Sequence, residues 1–168
     1  MHKAFIGIGS NLKNPRQQIK LAIETLQLLA WDGNIAISSI YQSSPMREQG
    51  TEASKTNAQN DYLNAAVRIN TKDSALKLLD ALQKIEDSQG RERKSDRWAA
   101  RTLDLDLLLY DDQIIDHPRL TVPHYGLKQR NFVIYPLADL DANLVLPDGT
   151  TIKALYQACS TTGICKIE

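Results

Sequence analysis

Residues 91–106 read RERKSDRWAARTLDLD, and they hold most of the chemistry this sequence could perform. Five basic side chains, Arg91, Arg93, Lys94, Arg97 and Arg101, surround Trp98 and run directly into Asp104 and Asp106. Clustered cations suit a polyphosphate, because the arginine guanidinium is a planar fork that matches phosphate oxygens. Carboxylates two residues apart on a strand lie on one face, about 6.6 Å apart, and hard oxygen ligands suit a divalent metal such as magnesium. One segment offering both fits magnesium-dependent chemistry on a nucleoside triphosphate. Each half also has a bland reading, a solvated basic loop and a sheet with an acidic outer face. The tryptophan inside the basic run and the adjacency of the two features favour a combined site.

Other candidates are weaker. Gly7-Ile8-Gly9 is only a GxG after an apolar run and reads as close backbone approach, not as a dinucleotide fingerprint. No GxxxxGK[ST] phosphate loop occurs, so side chains must hold any bound triphosphate. Arg119, His124 and Arg130 form a second phosphate-facing set. His2 and His117 lack such company, and the His and Cys positions are too scattered for a zinc site. Cys159 and Cys165 lack CxxC spacing and read as reduced thiols.

These residues need elements to hold them. Residues 3–8 read as a first strand, and Asn14-Pro15 opens a helix whose apolar stripe is Ile19, Ala22, Ile23, Leu26 and Leu29. Residues 34–41 read as a second strand and 62–70 as a third. Asp73 or Ser74 caps a second helix with the stripe Leu76, Leu79, Leu82 and Ile85, ending before Gly90. Residues 103–110 make a fourth strand, with leucines 103, 105 and 107 on one face and the two aspartates on the other; 113–115 pair with it across Asp111-Asp112. Residues 42–61 are polar, aperiodic and too long for an ordinary connection, so they read as a functional loop or an insertion. A loop at 121–131, a short apolar segment at 132–140 and a terminal piece with Pro147-Asp148-Gly149 complete the chain.

The order β-α-β, β-α-β predicts an α+β fold, a ferredoxin-like antiparallel sheet with packed helices and C-terminal additions. At 168 residues, 42% hydrophobic and 24% charged, the chain is expected to form a single domain over 1–168. Zero net charge argues against a general nucleic-acid partner. No apolar run approaches about 18 residues, so no membrane association and a cytoplasmic location are expected. A monomer is expected.

The combined pattern resembles the 6-hydroxymethyl-7,8-dihydropterin pyrophosphokinases of folate biosynthesis. The resemblance rests on IGIGSNL, SSIYQSSP, DYLNAAV, GRERKSDRWAARTLDLDLLLY, RLTVPHYGLKQRNFVIYPLADL and LPDG, from about Phe5 to Gly149. The spacing RxRxxxRWxxRTLDLD is its most specific part. It implies transfer of pyrophosphate from MgATP to the pterin hydroxymethyl group, leaving AMP. Asp104 and Asp106 would hold two magnesium ions, and Arg91 and Arg101 would join them as catalytic groups. ATP would be bound by Gln83, Glu86, Arg91, Arg93, Trp98, Arg101, Arg119, Thr121, His124, Tyr125 and Arg130. The pterin would be bound by Ser43, Ser44, Met46, Tyr62, Asn64, Trp98, Asp104 and Phe132, with Phe132 stacked on its ring. One stretch departs from the family pattern: Ser44-Pro45-Met46-Arg47 stands where a Pro-Pro pair and a following glycine are usual, and the loop up to Tyr62 is longer. The alternative from another class is a non-catalytic nucleotide-binding module, which the aspartate pair and the pterin-side aromatics disfavour.

Overall fold

The computed structural model describes residues 1–45, 60–90 and 101–167. Met46, Arg91, Arg93 and Trp98, and the central parts of the two long loops, lie outside the described residues.

The first strand, β1 (His2–Ser10), is followed by α1 (Pro15–Leu29). Asn14 caps α1 as its spacing predicts, its side chain accepting from the Gln17 amide, with Pro15 as the first helical residue. Ile19, Ala22 and Leu26 are buried, and Ile23 and Leu29 pack at the margin of the same face. The expected second strand is instead two, β2 (Ile35–Ile37) and β3 (Tyr41–Ser43). Ile37 pairs with Val67 and Tyr41 with Asn64, so four steps on one side oppose three on the other. The surplus residue interrupts the ladder there, as a bulge does. Ser38 serves the gap: its amide donates to the Ala66 carbonyl, and its hydroxyl oxygen accepts from the Ala66 amide at 2.8 Å.

β4 (Tyr62–Thr71) then crosses the middle of the sheet, and Ser74 caps α2 (Ala75–Ser88) by accepting from the Lys77 amide. The buried face of α2 is Ala75, Leu78, Leu82, Ile85 and Glu86. The expected Leu76 and Leu79 lie at its flank, partly buried, because the stripe is centred one residue away. Gly90 follows in the left-handed conformation (φ 78°).

β5 (Asp104–Tyr110) pairs antiparallel with β1. It does not pair with residues 113–115. Asp111, at φ 50°, turns its carboxylate back to His2 and to the Lys3 amide, and the hairpin forms one step later between β6 (Ile115–His117) and β7 (Leu120–Val122). The apolar segment after residue 131 is a helix, α3 (Asn131–Asp141), with Pro136 inside it. The tail forms α4 (Ile152–Ala158) and β8 (Ile164–Lys166).

The sheet order is β5-β1-β4-β3-β8, with β2 also on β4. Its first four positions follow the ferredoxin-like plan, and β8 is an added edge. Helices cover both faces. One core joins α1 and α2 to Ile6, Ile8, Val67, Leu103, Leu105 and Leu107. A second core joins Val133 and Leu137 of α3, Leu146 and Ile152 to Phe5, Ala66, Leu108 and Leu109. A bulge in β5 opposite Phe5 and Ile6 lets Leu108 and Leu109 serve the same core in succession. Each fully buried leucine stabilises the fold by about 1.5–3 kcal/mol relative to exposure, so the two cores hold the sheet rigid beneath whatever lies on it. Among the described residues no helix is long and apolar enough to cross a membrane.

Candidate active site

α3 and the chain leading to it cover only part of the second sheet face. Where they stop, a cavity of about 200 Å³ opens over the middle strands. The strand registers lay out its floor. Asp106, Gly7 and Ala66 stand side by side across β5, β1 and β4, and Asp104, Gly9 and Asn64 form the adjacent row. A Cβ on Gly7 would lie 3.3 Å from Leu108, and one on Gly9 would lie 3.6 Å from the Asn64 side-chain oxygen. The glycines therefore keep the centre of the floor at backbone height and leave two unlike walls facing each other.

The β5 wall is charged. Arg101 is ion-paired with Asp104 through its Nη1. Burial alone would lower the Arg101 pKa, but Asp104 outweighs it and raises it further. The backbone of Arg101 is fixed from below: its amide donates to Asn11 Oδ1 at 2.8 Å, and its carbonyl accepts from the Asn11 amide at 3.1 Å. Asp106 opens to the cavity with its side chain 40% exposed, yet it sits deep in the fold. That depth, then the nearby Asp104 and Glu86 carboxylates, push its pKa up to about 7 against partial relief from Arg101 and Arg130. Glu86 is itself buried and accepts from the Leu105 amide at 2.7 Å, between the two aspartates on the outer edge of β5.

His124 is hung on the same strand, its amide donating to the Leu108 carbonyl at 2.9 Å. Its Nδ1 accepts from the Gly126 amide, which leaves the proton of the neutral ring on Nε2, 3.7 Å from Asp106. Arg130 lies over Tyr125 and Phe132, its guanidinium 5.0 and 5.8 Å from their ring centres, and donates to the Tyr125 hydroxyl.

The opposite wall is polar and aromatic without net charge. Tyr62 is half-buried, and desolvation raises its pKa. The Asn64 side-chain amide donates to the Ser43 hydroxyl at 2.9 Å, and both residues are buried. Ser44, Pro45 and Phe132 complete this side.

The structure therefore brings together Ser43, Ser44, Tyr62, Asn64, Arg101, Asp104, Asp106, His124, Tyr125, Arg130 and Phe132, all expected from sequence. Gln83 and Glu86 lie on α2, outside the cavity lining. Arg119 and Thr121 are also outside it. Thr121 is exposed on β7, and the Arg119 guanidinium is bound to Asp80 of α2. The floor glycines and the Asn11 anchor were not singled out as site residues by spacing, although GIGSN is conspicuous after the first apolar run.

The donor set fits a hard divalent cation. Asp104 and Asp106 share one strand face; burial first, and then the Asp104 and Glu86 carboxylates, raise the Asp106 pKa, and a cation would relieve the carboxylate part of that cost. Among the described residues no three His, Cys, Asp or Glu side chains converge into a metal cage. A pair of carboxylates is a donor set that a hard divalent cation can share with water and phosphate oxygens.

The model of the 7,8-dihydro-6-hydroxymethylpterin-pyrophosphokinase family matches residues 5–142, which include every described residue of this cavity. The chain belongs to this family. It is 42% identical over 164 residues to the 2-amino-4-hydroxy-6-hydroxymethyldihydropteridine pyrophosphokinase of Pseudomonas aeruginosa, covering 98% of this chain and 96% of that protein. With the Haemophilus influenzae pyrophosphokinase it shares 44% over 157 residues, covering 94% and 92%. Among solved structures it resembles Plasmodium falciparum HPPK-DHPS, with a TM-score of 0.68 at 14% identity, covering 94% of this chain and 45% of that one. The present chain thus spans less than half of that longer chain, and the likeness bears on the pyrophosphokinase fold alone.

Proposed function

We propose that this chain transfers the pyrophosphoryl group of ATP to the hydroxymethyl group of 6-hydroxymethyl-7,8-dihydropterin, leaving AMP. Family membership carries the reaction class, and one observation carries the residue assignment: a single cavity whose charged and neutral walls stand on opposite sides of a glycine floor. Neighbouring strands are about 4.8 Å apart, so Asp104 and Asn64, one strand on either side of Gly9, are roughly 10 Å apart at the backbone. That spacing suits a triphosphate chain meeting the substituent of a flat ring.

On the neutral wall, Asn64 and Ser43 read the hydrogen-bonding edge of the pterin, while Phe132 and Tyr62 take its faces. On the charged wall, Arg101, His124 and Arg130 receive the phosphate oxygens, and Tyr125 supports Arg130. Asp104 and Asp106 would hold two magnesium ions; when bound, these neutralise the triphosphate and polarise the transferring group. The protein's own task is positioning. The floor register fixes the pterin hydroxyl against the phosphate chain, and the arginines offset charge that moves toward the leaving AMP. The Asp104–Arg101 pair holds both groups in place before substrate arrives. His124 presents Nε2–H as a donor to a phosphate oxygen. Residues 1–168 act as one pyrophosphokinase unit, working as a monomer.

The test is direct. The chain is incubated with ATP, magnesium and the hydroxymethyl pterin, and AMP and pterin diphosphate are measured. Equimolar AMP and pterin diphosphate, dependent on both substrates and on magnesium, is expected. ADP in place of AMP, or no pterin diphosphate, would overturn the assignment.

A further inference from the structure

The neutral wall depends on chain that lies beyond the family-matched residues. Matching stops at residue 142, and the sequence after Gly149 carries no motif that spacing could identify. In the structure this tail returns to the sheet. β8 pairs with β3 so that Ser43 faces Ile164 and Tyr41 faces Lys166. The pairing continues past both ends: the Ser44 amide donates to the Gly163 carbonyl at 3.0 Å, and the Ile167 amide donates to the Ile40 carbonyl at 2.9 Å. β3 has only three residues, and a strand that short holds its course poorly with one neighbour. The tail supplies its second neighbour.

Two contacts tie this arrangement to α3. The Asn131 side-chain amide donates to the carbonyls of both Ser160 and Thr162, at 3.0 and 3.1 Å. It thereby pins the turn that presents the Gly163 carbonyl to Ser44. Gly163 sits at φ +70°, a left-handed conformation that glycine adopts at little cost. At the other end of α3, one oxygen of Asp139 accepts from the Tyr41 hydroxyl at 3.0 Å and the Ser39 amide at 3.1 Å, and the Lys166 ammonium is 3.6 Å away. Asn131 immediately precedes Phe132. A second cavity, of about 260 Å³, lies between the tail and the start of α3, and Ser43, Ser44, Arg130 and Phe132 line both cavities. The tail is therefore connected both to Phe132 and to Ser43 and Ser44, which share the neutral wall.

We propose that residues 159–167, latched by Asn131, are a positioning element for the pterin, setting the separation between the Ser43–Ser44 edge and Phe132. The inference rests on the reading that the ring stacks on Phe132 with its hydrogen-bonding edge toward Ser43. Asn131 touches no substrate. It acts through the turn at residues 160–163, and its removal should loosen ring recognition while leaving the charged wall intact.

The experiment compares the full chain with Asn131→Ala, Asn131→Asp and a chain ending at Cys159. Wild-type production of AMP is measured first, and its absence would sink the reaction assignment rather than this inference. Loss of two neutral hydrogen bonds predicts a pterin KM raised about tenfold in Asn131→Ala, with the ATP KM within about twofold of wild type. Asn131→Asp keeps the shape but loses both donors and faces two carbonyls, so its pterin KM should rise further. The shortened chain should behave like the worse of the two. Amide exchange at Ser44, followed without substrate, should quicken at least tenfold in the point variants. An unchanged pterin KM in Asn131→Asp overturns the proposal, even if exchange at Ser44 quickens. An equal rise in both KM values with a fall in melting temperature also overturns it, since that is the signature of a tail that only finishes the sheet. If the shortened chain does not fold, the two point variants decide the matter alone.

Discussion

Replacing Gly126 by alanine separates the phosphate role of Arg130 from its contribution to stability. A Cβ built at Gly126 would lie 2.6 Å from Arg130 Nε, 2.8 Å from Cζ and 2.9 Å from Cδ. Something must move, and a long flexible side chain moves more cheaply than backbone. Gly126 does not have a positive φ, so alanine fits its backbone and gains about 0.4–1 kcal/mol by restricting the unfolded chain. Against that, the displaced guanidinium gives up its position over Tyr125, a contact that contributes about 0.5–1 kcal/mol at an exposed site. The two nearly cancel, so the melting temperature should stay within about 3 °C of wild type. Nucleotide binding should not be spared. An arginine–phosphate hydrogen bond contributes about 1.5–3 kcal/mol, so affinity for a magnesium complex of a non-hydrolysable ATP analogue should fall about 10- to 150-fold. Calorimetric titration beside a thermal melt measures both quantities, and Arg130→Ala should reproduce the affinity loss. Wild-type nucleotide affinity in Gly126→Ala would refute the placement of Arg130 as a phosphate ligand. A melting temperature lowered by more than about 6 °C would show that the backbone, not the side chain, absorbed the clash.

Asp104→Asn and Asp106→Asn should each lower AMP production by on the order of 100-fold or more while leaving far-ultraviolet circular dichroism unchanged; near-normal turnover would remove that residue from the metal site. Phe132→Ala should weaken the pterin about 2- to 12-fold through lost ring stacking and the ATP analogue little, and equal losses for both ligands would indicate a folding defect. The Asp106 carboxyl, at about 7 in the folded chain against roughly 3.9 unfolded, keeps its proton longer when folded. In chelator-treated protein, stability should therefore fall as pH rises from about 4 to 7, and Asp106→Asn should flatten that slope in urea melts at successive pH values. An equally steep slope in the variant would assign it to other groups.

The strand that carries the aspartates was legible because leucine and aspartate alternate along it, and period 2 assigns their faces without tertiary knowledge. The two helix caps were legible for a similar local reason. What stayed hidden depends on neighbours distant in sequence. Gly7 and Gly9 become a floor only through registers with β4 and β5, 55 or more residues away, as in the pair Gly9↔Asn64 or Gly7↔Asp106. The break between β2 and β3 arises where residues 38–40 oppose only 65 and 66 of β4, and no Gly or Pro announces it. The segment at α3 conceals its helix behind Pro136 and an apolar face broad enough to read as either element. Arg119 reads as a phosphate ligand in sequence, and its ion pair with Asp80 of α2 depends on the β6–β7 hairpin, which local sequence does not reveal. The tail could not be assigned at all, since its partner strand β3 and the Asn131 side chain that bonds its turn both lie far off in sequence.

β5 stands at one end of the sheet, where an unpaired strand would offer its backbone to any extended chain that drifted past. Here two of those backbone groups are already spoken for: the Leu105 amide by Glu86, and the Leu108 carbonyl by the His124 amide. The same two contacts that steady the aspartates and hang the histidine therefore also close the sheet against strand addition. Loss of Glu86 would expose a donor, the Leu105 amide, near the start of a leucine-rich strand. Its expected earliest consequence is association through that edge, ahead of any slowing of catalysis.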